Sequence, residues 1–204
     1  MYELLHYQDE DGTDLFAKWL DGLSDRRAQA FIAARLVRLE NGNFGECAPV
    51  GEGVWELKTD WGPGYRVYYA VHSKRVILLC EGGDKRKQNA DIKRAIKRWN
   101  EWQKRGKEMN AIAKHDDWLL EKLKDADFAA EYLNAASEDD DPKTYLTALR
   151  KVVEARGGMA AVAQKTDLSR ETLYRTLSSR GNPTIKTLTA VLKATGLKFG
   201  VSAH

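Results

Sequence analysis

Lys58, Arg66, Tyr68 and Lys85 are the residues in this 204-residue chain best suited to act together on a phosphodiester. A planar guanidinium matches phosphate oxygens in a two-pronged grip, ammonium groups add positive charge, and a phenol can exchange a proton. Their spacing places them on one surface. Val54–Lys58 alternates, with Trp55 and Leu57 on one side and Glu56 and Lys58 on the other. Tyr65–Val71 alternates again, so Arg66 and Tyr68 share a side opposite Tyr65, Val67, Tyr69 and Val71. Val76–Cys80 is a continuous apolar run, the pattern of a strand buried on both sides. Trp61-Gly-Pro-Gly64 and Gly82-Gly83 supply turn chemistry, and Lys85 follows. A three-strand meander over Trp55–Lys85 therefore predicts one polar face carrying Lys58, Arg66 and Tyr68, with Lys85 at its rim.

Other elements must hold this sheet. Tyr2–Tyr7 reads as a first strand and Asp14–Leu20 as a short amphipathic helix. From Asp25 to about Glu40, Ala28, Phe31, Ile32, Leu36 and Leu39 recur at helical spacing. The segment with Pro49, Gly51 and Gly53 reads as a loop. Asn89–Lys104 is a basic helix whose apolar stripe is Ile92, Ala95, Ile96, Trp99 and Trp102. The order β-α-α-β-β-β-α predicts an α+β domain over residues 1–108.

After Met109 the character changes. Trp118–Leu123, Asp127–Ala136, Lys143–Ala155, Met159–Lys165, Ser169–Leu177 and Ile185–Ala194 read as helices, and Leu197–Ser202 has the pattern of a short terminal strand. Residues 109–204 are thus expected to form a second, all-α domain. An internal Met at this junction fits two reading frames joined into one polypeptide. Within it, Met159–Leu177 fits a helix-turn-helix. Val162, Leu168 and Leu173 pin the two helices together, and Ser169 is placed to cap the second. That helix would present Arg170, Thr172, Tyr174 and Arg175 to a major groove, with Ser169 and Arg180 reaching phosphates. Asp167 occupies the turn position where glycine is usual, which predicts a left-handed backbone there.

Charge is distributed unevenly. The formal net charge is only +3, which does not identify a nucleic-acid binder. Yet Lys85–Lys107 holds ten Lys/Arg against Asp91 and Glu101, and Asp116–Asp141 holds ten Asp/Glu against Lys122 and Lys124. The acidic block reads either as a soluble, disorder-leaning entry to the second half or, the reading preferred, as a cover for the basic surface. Cys47 and Cys80 have no metal spacing and read as free thiols. The scattered histidines suggest no metal site, and no cofactor motif is present. No signal-peptide pattern opens the sequence and no apolar run approaches membrane-spanning length, so a cytoplasmic protein is expected.

The first half resembles the RelE/ParE superfamily of type II toxins, in its HigB-like branch of addiction-module killer proteins. The resemblance rests on Val54-Trp-Glu-Leu-Lys58, Gly62-Pro-Gly-Tyr-Arg-Val-Tyr68, Leu78-Leu79, Gly82-Gly-Asp-Lys85, Gln88 and Asp91-Ile92. The second half is similar to HigA-like antidote proteins in Glu131-Tyr-Leu-Asn-Ala-Ala136, Asp141-Pro142, Leu168-Ser-Arg-Glu-Thr-Leu-Tyr-Arg175 and Gly181-Asn-Pro183. The resemblance implies a RelE-like fold followed by a helix-turn-helix domain. It also implies a metal-independent, ribosome-dependent mRNA endonuclease neutralised by an antitoxin half, which binds operator DNA as a dimer and represses its own operon. Arg66 would clamp the phosphate and Lys85 would add charge or act as the acid, with Lys58 or Tyr68 in proton transfer. Two alternatives share these features: a ParE-like blocker of DNA gyrase with its antitoxin, and a transcriptional regulator whose toxin domain is catalytically dead.

Overall fold

The computed structural model describes residues 1–59, 61–73, 75–109, 113–178 and 180–200, without the side chains of 106–109. The chain divides into two compact units, Met1–Trp118 and Leu119–His204. The first unit thus takes in ten residues beyond the 108 boundary expected from sequence.

The first unit is a mixed sheet with helices on both faces. Its elements are β1 (Glu3–His6), α1 (Leu15–Asp21), α2 (Arg26–Glu40), β2 (Cys47–Gly51), β3 (Val54–Lys58), β4 (Tyr65–His72), β5 (Val76–Asp84), a single 3-10 turn (Lys85–Lys87), α3 (Gln88–Met109) and β6 (Ala113–Lys114). The sheet order is β2-β3-β4-β5-β1-β6. The β2 to β5 run is antiparallel, β1 lies parallel to β5, and β6 pairs antiparallel with β1.

Two strands depart from the sequence expectation. β2 replaces the expected loop: as an edge strand it tolerates Pro49, and its register shifts between Pro49 and Gly51. β5 runs on through Gly82 and Gly83 to Asp84 instead of stopping at Cys80. The glycines mark close approach, not a break. A Cβ at Gly82 would lie 2.0 Å from the Trp19 ring, and one at Gly83 2.0 Å from Asp91 Oδ2.

The two faces of the sheet have different cores. On one, Phe16 and Leu20 of α1 and Ile32, Leu36 and Leu39 of α2 pack with Leu57, Val67, Tyr69, Ile77 and Leu79. On the other, Ala95 and Trp99 of α3 pack with Leu5, Tyr7, Val54, Tyr68, Ala70, Leu78 and Cys80. The face expected to be open and polar is therefore covered by α3.

The second unit is helical, as expected. α4 (His115–Lys122) leads into it, followed by α5 (Ala126–Ser137), α6 (Pro142–Ala155), α7 (Gly158–Lys165), α8 (Arg170–Thr176) and α9 (Ile185–Ala194). Each of α5 and α6 starts on an aspartate cap: Asp125 accepts from Phe128 N and Asp141 from Lys143 N. The expected terminal strand is not formed over Leu197–Gly200, which is irregular; residues 201–202 lie outside the described residues. Strand pattern alone does not make a strand where no neighbouring edge offers hydrogen bonds. Among the described residues no helix is long and apolar enough to cross a membrane.

Candidate functional site

Strand register brings the first-half candidates together. Lys58 of β3 is the direct partner of Arg66 of β4, and Arg66 is the partner of Gly83 of β5. Directly opposed residues share a face, so Lys58 and Arg66 lie side by side. Lys85 stands two residues past Gly83, just beyond the end of β5. Lys58 and Lys85 are exposed, and among the described residues neither makes an ion pair. Arg86 beside them is spent locally, pairing with Asp84 at 2.8 Å.

Arg66 is held from beneath. Its Nη1 donates to Gly64 O at 2.9 Å, and its Nε lies 3.2 Å from Glu56 Oε2. Glu56 also accepts from the Tyr68 hydroxyl at 3.1 Å and from Gln88 Nε2 at 2.8 Å. Glu56 is buried because its strand position points toward α3. Two hydrogen-bond donors, the Tyr68 hydroxyl and Gln88 Nε2, converge on its Oε2, and Arg66 adds its charge as an ion pair without a hydrogen bond from Nε. Sequence alternation put Glu56 on the Arg66 side but gave no sign that it would organise the site.

Tyr68 is fully buried under α3. Burial pushes its hydroxyl well above the usual phenol range, and the charge and hydrogen bond of Glu56 push it further. At neutral pH it keeps its proton and serves as a donor to Glu56. Its place in the site is therefore structural support for the carboxylate that carries Arg66.

Two further acids lie on the same face. Glu81 sits opposite Tyr68 and accepts from Arg94 Nε at 2.7 Å and pairs with Arg98 Nη1 at 2.9 Å. Asp91 is buried over Gly83 and pairs with Arg94 through Oδ1, while its Oδ2 has no hydrogen-bond partner. Burial is the main cause that raises the Asp91 carboxyl above the ordinary range; the Arg94 charge opposes it and Glu81 adds to it. The crossing of α3 over β5 places Asp91 over Gly83, the strand partner of Arg66.

Trp61 and Tyr65 pack near the turn. Trp61 Nε1 donates to Asp25 at 3.1 Å and the ring lies 5.1 Å from Phe31, while Tyr65 packs against the α1/α2 core. Trp55 instead faces solvent.

In the second unit, α7 and α8 pack together through buried Met159, Val162, Leu173 and Leu177. Ser169 caps α8, accepting from Thr172 N at 3.1 Å. Thr176, the polar residue at a usually apolar position, is satisfied by donating to Thr172 O at 2.7 Å. Asp167 is not among the non-glycine residues with positive φ, so the left-handed turn expected there is not used and glycine is not needed. Ser169, Arg170, Tyr174, Arg175 and Arg180 are exposed, Thr172 is half-buried, and Arg150 of α6 stacks over the Tyr174 ring at 5.5 Å.

Residues 18–100 match the family described as phage derived protein Gp49-like, a family of RelE-type toxins, and residues 112–203 match the family described as probable addiction module antidote protein. The chain is 46% identical over 80 residues to an uncharacterized protein of Haemophilus influenzae, covering 39% of this chain and 81% of that protein. It is 38% identical over 92 residues to a second uncharacterized protein of the same organism, covering 41% of this chain and 94% of that protein. No solved structure matches it significantly. The chain therefore belongs to the addiction-module toxin–antitoxin families, a Gp49-like domain followed in the same polypeptide by an antidote domain.

Proposed function

We propose that the first half is a ribosome-dependent mRNA endonuclease that works without a metal, and that the second half neutralises it and represses the operon. The observation that carries this reading is the cationic row Lys58–Arg66 across β3 and β4, with Lys85 at the adjacent strand end. As an RNA 2′-hydroxyl attacks the adjoining phosphate it gives its proton to a base and forms a 2′,3′-cyclic phosphate, while the charge on the phosphate oxygens is neutralised and the leaving 5′-oxygen receives a proton. Arg66 provides the planar clamp, oriented by Glu56, which Tyr68 and Gln88 hold in turn. Lys85 and Lys58 are the solvent-facing cations for charge and proton transfer. The second half would bind operator DNA through Ser169, Arg170, Thr172, Tyr174, Arg175 and Arg180, as a homodimer in the cytoplasm, with acidic residues 116–141 set against the basic surface of the first half.

A second reading draws on one observation. Arg66 is already engaged by a buried carboxylate, as a purely structural arginine would be. This favours a ParE-like gyrase blocker or a regulator with a dead toxin domain. Expression of residues 1–108, with and without residues 109–204 supplied separately, separates the three. The endonuclease reading expects growth arrest, new mRNA ends within translated frames, and rescue by the second half. Arg66→Ala should then lower cleavage by about 100-fold or more, the scale lost when one charge-stabilising donor is removed. Blocked DNA supercoiling with intact mRNA would favour the gyrase reading, and a harmless first half would favour the regulator.

A further inference from the structure

The covered edge of the first unit's sheet points to how the antidote half grips the toxin half. Without β6, β1 would end the sheet and leave a row of main-chain donors and acceptors open. The strand that covers it, Ala113–Lys114, lies inside the antidote family match, which starts at residue 112, and outside the Gp49-like match, which ends at 100.

Side chains of Lys114, His115 and Trp118 reinforce this strand. Lys114 Nζ pairs with Glu3 at 3.2 Å. His6 and His115 are both buried and joined ring to ring, His6 Nε2 to His115 Nδ1, at 3.0 Å. His6 Nδ1 lies 2.7 Å from Asp14 Oδ2, so Asp14, His6 and His115 form one hydrogen-bonded chain. Asp14 is itself fixed as the cap of α1, accepting from Ala17 N at 2.8 Å. Trp118 stacks on His115 at 5.5 Å, donates from Nε1 to Asp21 at 2.9 Å, and packs against the α1/α2 core. A connection that only had to span a gap would not need a strand pairing, a buried ring pair and an anchored indole.

We propose that residues 113–118 are a docking strap: the β1 edge, Asp14 and Asp21 form the surface by which the first half binds the antidote half, and the grip persists without the covalent link. The recognition is strand addition, in which main-chain bonds give affinity and His115 and Trp118 give specificity. This rests on reading the two halves as toxin and antidote, but not on any nuclease activity.

The test uses the full chain with a protease recognition sequence placed between Met109 and Ala113 and a tag on the first half. After complete cleavage, the second half should stay on the tagged first half through washing and gel filtration. Trp118→Ala combined with Ala113→Pro, which removes the amide facing His6, should lower the retained fraction at least 10-fold, with the melting curve of the uncut variant as the folding control. His115→Ala, which leaves the main-chain pairing intact, should show an intermediate loss. Amide exchange at His6 and Ala113, the opposed pair whose main-chain groups face each other across β1 and β6, should remain slow in the cut wild type. Separation of the cut wild-type halves would overturn the proposal, and so would retention of the strap variants at the wild-type level. A cut pair that stays together yet cleaves no mRNA would leave the strap standing and defeat only the nuclease reading.

Discussion

The two faces of the first unit's sheet solve the same packing problem with opposite materials. Beneath α1 and α2, Ile32, Leu36, Leu39, Leu57, Val67, Ile77 and Leu79 make an aliphatic core; its polar members include the Tyr69 hydroxyl and the buried His6, which lies against Phe16. Beneath α3, the apolar part (Leu5, Val54, Ala70, Leu78, Ala95) is joined by Glu56, Glu81, Asp91, Arg66, Arg94 and Tyr68. The first arrangement rests mainly on hydrophobic burial. The second takes carboxylates out of water and recovers that cost only through several donors per acid. On this face Glu56 carries Arg66, while Glu81 and Asp91 are matched by Arg94 and Arg98 of α3.

This contrast is easiest to break at the apolar face, where the largest effect is expected. Leu36→Ala removes a fully buried side chain from a site walled by other aliphatics, and should destabilise the first unit by about 3 kcal/mol. All six tryptophans, Trp19, Trp55, Trp61, Trp99, Trp102 and Trp118, lie in the first unit, so denaturant melts followed by indole fluorescence read that unit alone. An unchanged slope with a lower midpoint identifies a stability effect. A loss below ~1 kcal/mol, a conservative-swap scale, would mean that the core reorganises and that the apolar face is not the main support.

The paired glycines of β5 sharpen the comparison within one strand. A methyl at Gly82 would strike the Trp19 ring, while one at Gly83 would strike Asp91 Oδ2. Gly82→Ala must move an indole packed against the α1/α2 core and should cost about 2–3 kcal/mol, the upper range for overpacking. Gly83→Ala needs only the displacement of a carboxylate that has one partnered oxygen, and should cost about 1–2 kcal/mol. The order should reverse for function: Gly83→Ala disturbs the face that holds Arg66 and should reduce any mRNA cleavage, whereas Gly82→Ala should spare it at temperatures where the fold is intact. Equal stability losses would show that the charged face is packed as rigidly as the apolar one.

The same pair shows what the sequence could and could not convey. Gly82-Gly83 after an apolar run reads as a stop, yet here glycine marks a strand squeezed from both sides, which depends on helices far away in sequence. Pro49 and Gly51 likewise hid β2, because an edge position lifts the usual bar to proline. β6 has two residues and no pattern to read. Helices α2 and α3 and the helices of the second unit were legible because their apolar residues repeat at helical spacing over several turns. At the site, alternation correctly grouped Glu56, Lys58, Arg66 and Tyr68. It could not tell that α3 would lie over half of that face and turn Tyr68 from a reactive phenol into a buried support for Glu56.

The smallest effect concerns Asp91, and its sign follows from its surroundings. Burial holds its carboxyl above the ordinary range despite the Arg94 charge. On raising the pH, the unfolded chain gives up this proton first, so the folded state loses stability as pH climbs through the carboxylate range and up to the folded-state value. Below that range the proton is bound in both states and the full contribution is present. Asp91→Asn removes the titration while keeping an oxygen for Arg94 to donate to, at a position whose other oxygen has no hydrogen-bond partner. The stability of the variant relative to wild type should therefore rise steadily as pH goes from acid to neutral and then level off, in indole-fluorescence melts at a series of pH values. A difference that stays flat, or that falls with pH, would mean that Arg94 rather than burial governs Asp91, and that the α3 face stabilises its acids in the charged form.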